Sequence, residues 1–214
     1  DLQLAREAME ALGLKVKTGM HYADRRGYLA GSDADRAADI NAMFADKAVK
    51  AVVCARGGWG AARLLPLLDY DTILENARSI KQAGDANGVQ NFFMLKQIGR
   101  NPLIARALTD MGYVGAVCVD FREALTMVEN QIPLGNVGHL VQIPRAALKK
   151  ILRAKPVIVT VYTLEKAREI SAVCTELGLH QKLMLRVLGE GDMLYSGQYG
   201  GFELQELDSA VRAI

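Results

Sequence analysis

The chain has 214 residues, 50% apolar and 23% charged, the balance of an ordinary globular protein with length for one well-buried domain or two small ones. Its 26 basic residues are scattered among 24 acidic ones for a net charge of +2, so nothing marks a nucleic-acid-binding surface. No apolar run approaches the roughly 18 residues of a membrane span, and no signal-peptide pattern is present.

The elements alternate from the start. LAREAMEALG (4–13) has helical periodicity and stops at Gly13, and LKVKTG (14–19) reads as a short strand. The sequence opens at Asp1 inside helical sequence without a Met, as a cut would. After a polar loop, Ser32 caps DADRAADINAMFAD, whose first turn is acidic and whose apolar positions are Ile40, Met43 and Phe44. AVVCA (51–55) reads as a strand buried on both faces, breaking into Arg56-Gly57-Gly58-Trp59-Gly60 and then into a helical stretch interrupted at Pro66. NFFMLK (91–96), GAVCVD (115–120), GHLVQ (138–142), PVIVTVYT (156–163) and KLMLRVL (182–188) read as further strands, with amphipathic helices between them. The fold class is therefore α/β with a parallel sheet of about seven strands. An incomplete barrel and an open, doubly wound sheet both remain open.

Cys54, Cys118 and Cys174 each lie in an apolar stretch without a Cys-x-x-Cys and read as reduced, buried thiols of a cytoplasmic protein. His21, His139 and His180 lack metal-ligand spacing, so no metal is expected.

RRGYLAGSDADRAADINAMFAD followed by CARGGWGAARLLPLLDYD closely resembles the N-terminal part of LD-carboxypeptidases, serine peptidases that trim murein peptides. The resemblance covers residues 4 to 71, a flavodoxin-like fragment. FFMLKQIGRNP, VGAVCVDFREA, GHLVQIP, VIVTVYTLEKAREIS and LYSGQYGGF instead resemble the pyridoxal-phosphate (PLP)-binding barrel of alanine-racemase-like enzymes, over residues 71 to 202. That implies a partial TIM (βα) barrel joined to the first fragment, in one composite domain over 1–214 with pieces at 1–70 and 71–214.

The peptidase resemblance implies no hydrolysis. The family's Gly-Tyr-Ser-Asp nucleophile turn is absent, and neither Ser32 nor Ser79 has a histidine in a usable pattern. What persists is the loop of Arg56, Gly57, Gly58 and Gly60, an oxyanion-hole element in that family. By itself it reads as an anion site, its free N–H groups backed by a helix dipole, or as a tight turn with no ligand. The racemase resemblance implies that Lys96 is a vestigial Schiff-base lysine for PLP, a role that suits an amine able to lose its proton when desolvated. Arg186 and His139 read either as inward-facing or as packing residues. Were a barrel to close, loop 56–60 would lie beside Lys96 and could take the PLP phosphate.

These observations lead to the expectation of an engineered or recombined scaffold with no evolved activity, and of no intact catalytic residue. The alternative is a PLP-binding, racemase-like protein using Lys96. The expected partners are a small anion and, through exposed strand edges, a second copy of the chain, with no nucleic acid and no membrane.

Overall fold

The computed structural model describes residues 2–54, 60–96, 99–189, 191–192 and 200–214. The chain divides into two compact units, Asp1–Asn87 with Lys96–Arg100, and Gly88–Leu95 with Asn101–Ile214.

The first unit is helical among its described residues. Helix α1 (Leu2–Ala11) buries no side chain. Helix α2 (Asp33–Ala45) starts at Ser32, as its sequence requires. Ser32 accepts from the Asp35 N–H while the Asp35 carboxylate accepts from the Ser32 N–H, a reciprocal capping box. A 3-10 helix (Ala61–Leu67) and α3 (Tyr70–Ala86) complete the unit. Ala37, Leu64, Leu68 and Ile73 form its small core, flanked by Phe44 and Tyr70. Asn41 ties the elements together, donating to Leu67 O at 2.9 Å and accepting from Asp69 N at 2.9 Å.

The strands expected at 14–19 and 51–55 do not form among the described residues, which corrects the flavodoxin-like expectation for this fragment. Backbone groups of a strand need a neighbouring strand, and the nearest approach here is a single bridge between Arg26 and Leu29. Val52 and Val53 are 42% and 67% exposed rather than buried on both faces, and Cys54 is exposed too, so the expectation of three buried thiols fails at that position.

The second unit carries the sheets. Helix α4 (Pro102–Asp110) precedes β1 (Ala116–Cys118), α5 (Phe121–Glu129), β2 (Leu134–Val137), α6 (Arg145–Arg153), β3 (Ile158–Val161), α7 (Leu164–Leu177) and β4 (Leu183–Leu185). The four strands are parallel in the order β1-β2-β3-β4, each joined to the next by a helix. That strictly sequential order is the arrangement of a (βα) barrel segment; a doubly wound sheet reverses direction part-way. A second, two-stranded parallel sheet pairs β5 (Val187–Leu188) with β6 (Phe202–Glu203), and α8 (Leu207–Ala213) follows.

The described strands thus form sheets of four and two, not one of about seven. Phe93 makes only an isolated parallel bridge to Ala116, so NFFMLK pairs without becoming a strand. GHLVQ is not a strand either. The chain leaves β2 at Gly138 with φ +97, and the Gln142 amide curls back to donate to Gly138 O (2.7 Å) and Thr160 O (3.0 Å). One side chain thereby supplies the hydrogen bond that a continuing strand would have given to Thr160.

One face of the four-stranded sheet is packed by α5 and α7. Val137, Val159 and Val161 are at most 1% exposed, and Cys118 is fully buried, its thiol pushed up by desolvation and by nearby Glu123 and Asp120. Glu123 is itself 3% exposed and accepts from Val119 N at 2.8 Å, closing the turn after β1.

Candidate functional site

All four parallel strands end at the same edge of the sheet, and polar residues lie at or just past the ends of β2, β3 and β4. Side chains alternate along a strand, so Thr160 and Tyr162 share a face and the fully buried Val159 and Val161 take the other. Thr160 Oγ1 donates to Asn136 Oδ1 at 3.0 Å, which places Asn136 of β2 on that face too. Beyond it, the Tyr162 hydroxyl donates to His139 O, tying the end of β3 to the turn after β2. The Arg186 guanidinium carbon lies over the Tyr162 ring, 4.8 Å from its centroid.

Arg186 is fixed from both sides by its backbone. Its N–H donates to Val161 O at 3.0 Å and its carbonyl accepts from Phe202 N at 2.8 Å. The chain reaches Phe202 through Gly200 (φ +109) and Gly201 (φ +147), conformations that glycine tolerates. A Cβ at Gly201 would come within 2.6 Å of Leu188 Cγ, and one at Gly200 would touch Tyr162 at 3.4 Å. Close approach thus calls for glycine at 201 and the positive φ favours it at 200, in LYSGQYGGF, whose residues 194–199 lie outside the described residues. Gln142 Oε1 is a buried acceptor with no partner among the described residues.

The sequence-based candidates fall as follows. Arg186 follows β4, and His139 follows β2 in the turn that Tyr162 holds; both belong to this edge. Lys96 directly follows Leu95, which is buried in the second unit, but is grouped with Lys96–Arg100 in the first. Arg56, Gly57 and Gly58 of the anion loop lie outside the described residues, as does the loop proposed for a PLP phosphate. Gly60 is left-handed at φ +81 and opens a seven-residue 3-10 helix where an α-helix was expected. Ser32 donates to Asp35 Oδ2 at 2.6 Å and Ser79 to Glu75 O at 3.1 Å, so both hydroxyls serve their own helices.

A second grouping, in the first unit, was hidden in the sequence because its members come from a loop and a helix. His21 Nδ1 lies 2.8 Å from Asp24 Oδ2, and its Nε2 lies 3.9 Å from Asp35 Oδ1. Asp39 accepts from the N–H groups of Met20 and His21, at 2.9 Å each. The hydrogen bond to Asp24 raises the His21 pKa above its ordinary value, with smaller help from the charges of Asp35, Asp24 and Asp39 and partial opposition from desolvation. A raised folded-state pKa means that the charged ring steadies this loop fully below the ordinary histidine value. The contribution is then lost as pH rises through the folded value. Histidine ring-proton NMR titration is expected to show His21 titrating above the ordinary histidine value, and Asp24→Asn is expected to bring it back down. An unchanged midpoint in that variant would show that Asp24 does not hold the ring.

Comparison with known proteins agrees with the two-part reading. Residues 1–94 match the LD-carboxypeptidase N-terminal domain and residues 68–214 match the alanine racemase N-terminal domain. The uncharacterized protein YhfX of Escherichia coli (strain K12) is 38% identical over 159 residues, 73% of this chain and 41% of YhfX. A probable murein peptide carboxypeptidase of Bacillus subtilis (strain 168) is 44% identical over 70 residues, 33% of this chain and 22% of that protein. The D-threonine aldolase of Filomicrobium marinum superposes with a TM-score of 0.52 at 21% identity, over 66% of this chain and 38% of the aldolase, a likeness of fold. The chain spans about two-fifths or less of the length of each of these proteins. Natural families account for both parts, which points to a natural protein and overturns the expected engineered scaffold. Through residues 68–214, more than half its length, the chain belongs to the alanine racemase N-terminal domain family.

Proposed function

We propose that residues 88–214 contribute the cofactor-binding part of a cytoplasmic, PLP-dependent enzyme that acts on an amino acid in a racemase-like reaction, with Lys96 as the amine that takes up the cofactor aldehyde. The observation that carries this reading is the polar edge of the parallel sheet. Strand ends that would otherwise be capped by apolar packing present Asn136, Thr160, Tyr162 and Arg186 instead.

The residues fit a planar, anionic, aromatic cofactor. Arg186 offers a fixed cation, Gln142 Oε1 is a buried acceptor without a donor among the described residues, and Gly200 and Gly201 bring main chain close to the same edge. When bound, PLP supplies an electron sink that makes the α-hydrogen of an amino acid removable. The chain's own part is positional. Lys96 supplies a nucleophilic nitrogen when neutral. Thr160, Asn136 and Gln142 hold the strand ends in register, and Arg186 places a positive charge at the same edge.

Incubation of the protein with PLP is expected to give a yellow product, with borohydride fixing the cofactor on the peptide that carries Lys96. Lys96→Ala is expected to abolish the colour without changing the thermal unfolding curve. Reduced cofactor scattered over other lysines, with Lys96 unmodified, would refute the assignment.

A further inference from the structure

We infer that His21, Asp24 and Asp35 form a binding site for one divalent transition-metal ion of the zinc class, with His21 Nε2 and Asp35 Oδ1 as ligands and Asp24 orienting the ring. The site lies in the first unit and is independent of the PLP reading.

The three side chains offer one nitrogen and two oxygens that all lie within 4.8 Å of one another. Separate anchors bring them there. Asp35 stands in the first turn of α2, where its Oδ2 accepts from the N–H and the hydroxyl of Ser32, while its Oδ1 lies 3.9 Å from His21 Nε2. Asp39, one turn further along α2, fixes the backbone of Met20 and His21 through their N–H groups. Gly19 permits that approach, since a Cβ there would collide with the Asp39 carboxylate. The Asp24 N–H donates to His21 O at 3.0 Å, a turn that returns the Asp24 carboxylate to the ring.

The gap of 3.9 Å is the informative distance. It is too long for a hydrogen bond, yet two ligands of one zinc ion lie about 3–4 Å apart. On the other side of the ring, Asp24 Oδ2 holds Nδ1 at 2.8 Å. A carboxylate on one ring nitrogen turns the lone pair of the other toward a metal, the usual support of a histidine ligand. Imidazole combined with carboxylate suits zinc-like ions, whereas magnesium and calcium take oxygen alone. The field agrees. Asp24, Asp35 and Asp39 surround a single ring, the opposing charge of Arg26 acts on Asp35, and the ring already holds its proton more tightly than an ordinary histidine. Histidine spacing could not mark this site, because one histidine takes part and Asp35 joins it through the fold.

Metal-free full-length protein is titrated with Zn²⁺ by calorimetry near neutral pH. One ion per chain is expected, with Mg²⁺ failing to compete. His21→Ala and Asp24→Asn are each expected to weaken Zn²⁺ roughly tenfold or more, whereas Cys54→Ser and His180→Ala leave it unchanged. Both loop variants keep the Ser32 cap of α2. Should His21→Ala nevertheless unfold, Co²⁺ added to the parent decides, and broadening of the His21 ring-proton signals ahead of those of His180 is the expected result.

Zn²⁺ binding that is the same in His21→Ala as in the parent, or that disappears with Cys54→Ser, would overturn the inference, as would a parent protein without saturable Zn²⁺ uptake. None of these outcomes bears on the colour test of Lys96, so the two readings stand or fall separately.

Discussion

Gly138→Ala is expected to destabilise the second unit by about 3 kcal/mol, from two separable costs. Gly138 adopts φ +97, where an L side chain is strained by about 1–2 kcal/mol. Its added Cβ would also lie 2.5 Å from Thr160 O, a main-chain atom in β3 that cannot turn aside. Overpacking of this kind typically costs about 1–3 kcal/mol, and backbone on both sides of the contact puts this site at the upper end. Gly178 provides the control. It has φ +64 at the end of α7, with nothing within 4 Å of an added Cβ, so Gly178→Ala should cost only about 1 kcal/mol, the conformational part. Hydrogen-exchange mass spectrometry on peptides spanning β2 and β3 reads both variants locally, which suits a chain of two units whose global unfolding need not be two-state. Equal loss of protection in the two variants would show that the contact with Thr160 carries no weight. The functional consequence follows from the same geometry. Gln142 bonds both Gly138 O and Thr160 O, so displacement of Gly138 disturbs the edge that carries Asn136, Tyr162 and Arg186, and PLP uptake should fall with stability.

Gly138 also marks where the sequence stopped being legible. AVC inside GAVCVD and IVTV inside PVIVTVYT are short, mostly apolar and mostly buried runs, and their composition alone located β1 and β3. Ser32 announced α2 through its cap, because a hydroxyl before an acidic first turn has a defined partner in the nearest free N–H groups. GHLVQ has strand composition as well, yet its first residue is a left-handed glycine and its last is a side chain that replaces a ladder hydrogen bond. Composition cannot register a single dihedral angle. The segments 14–19 and 51–55 failed for a different reason. A strand is a property of a pair, and apolar sequence does not say whether a partner lies alongside. The candidate edge was legible in parts. Arg186 and His139 were singled out but assigned to strands, whereas they lie just past strand ends, and Lys96 is assigned by resemblance alone. Tyr162 was missed, although its spacing of two from Thr160 already put both on one sheet face. The His21 grouping was invisible because Asp35 reaches it through the fold.

Leu148→Ala is expected to cost about 3 kcal/mol, within the roughly 2–5 kcal/mol measured for large-to-small changes at fully buried leucines. Leu148 is 0% exposed on α6, where Ala147, Leu148, Ile151 and Leu152 form the buried stripe and Lys149, Lys150 and Arg153 face outward. Helix α6 packs between α5 and α7 and is the crossover from β2 to β3, so a cavity there loosens the two strands whose ends carry Asn136, Thr160 and Tyr162. The salt bridges on its outer side, Lys149 to Glu176 at 2.6 Å and Lys150 to Glu129 at 2.7 Å, join exposed groups and contribute little against such a loss. Leu103 on α4 is the matching control, since at 78% exposure its truncation should fall within about 0.5 kcal/mol of zero. Set against a total stability of about 5–15 kcal/mol, the Leu148 loss is a large fraction that still leaves the unit folded, so it reads as a shifted unfolding midpoint. Urea unfolding followed by circular dichroism, with exchange protection read on β2 and β3 peptides, tests this ordering. If Leu148→Ala and Leu103→Ala shifted the midpoint equally, the α6 stripe would not be the element that holds the edge of the site in register.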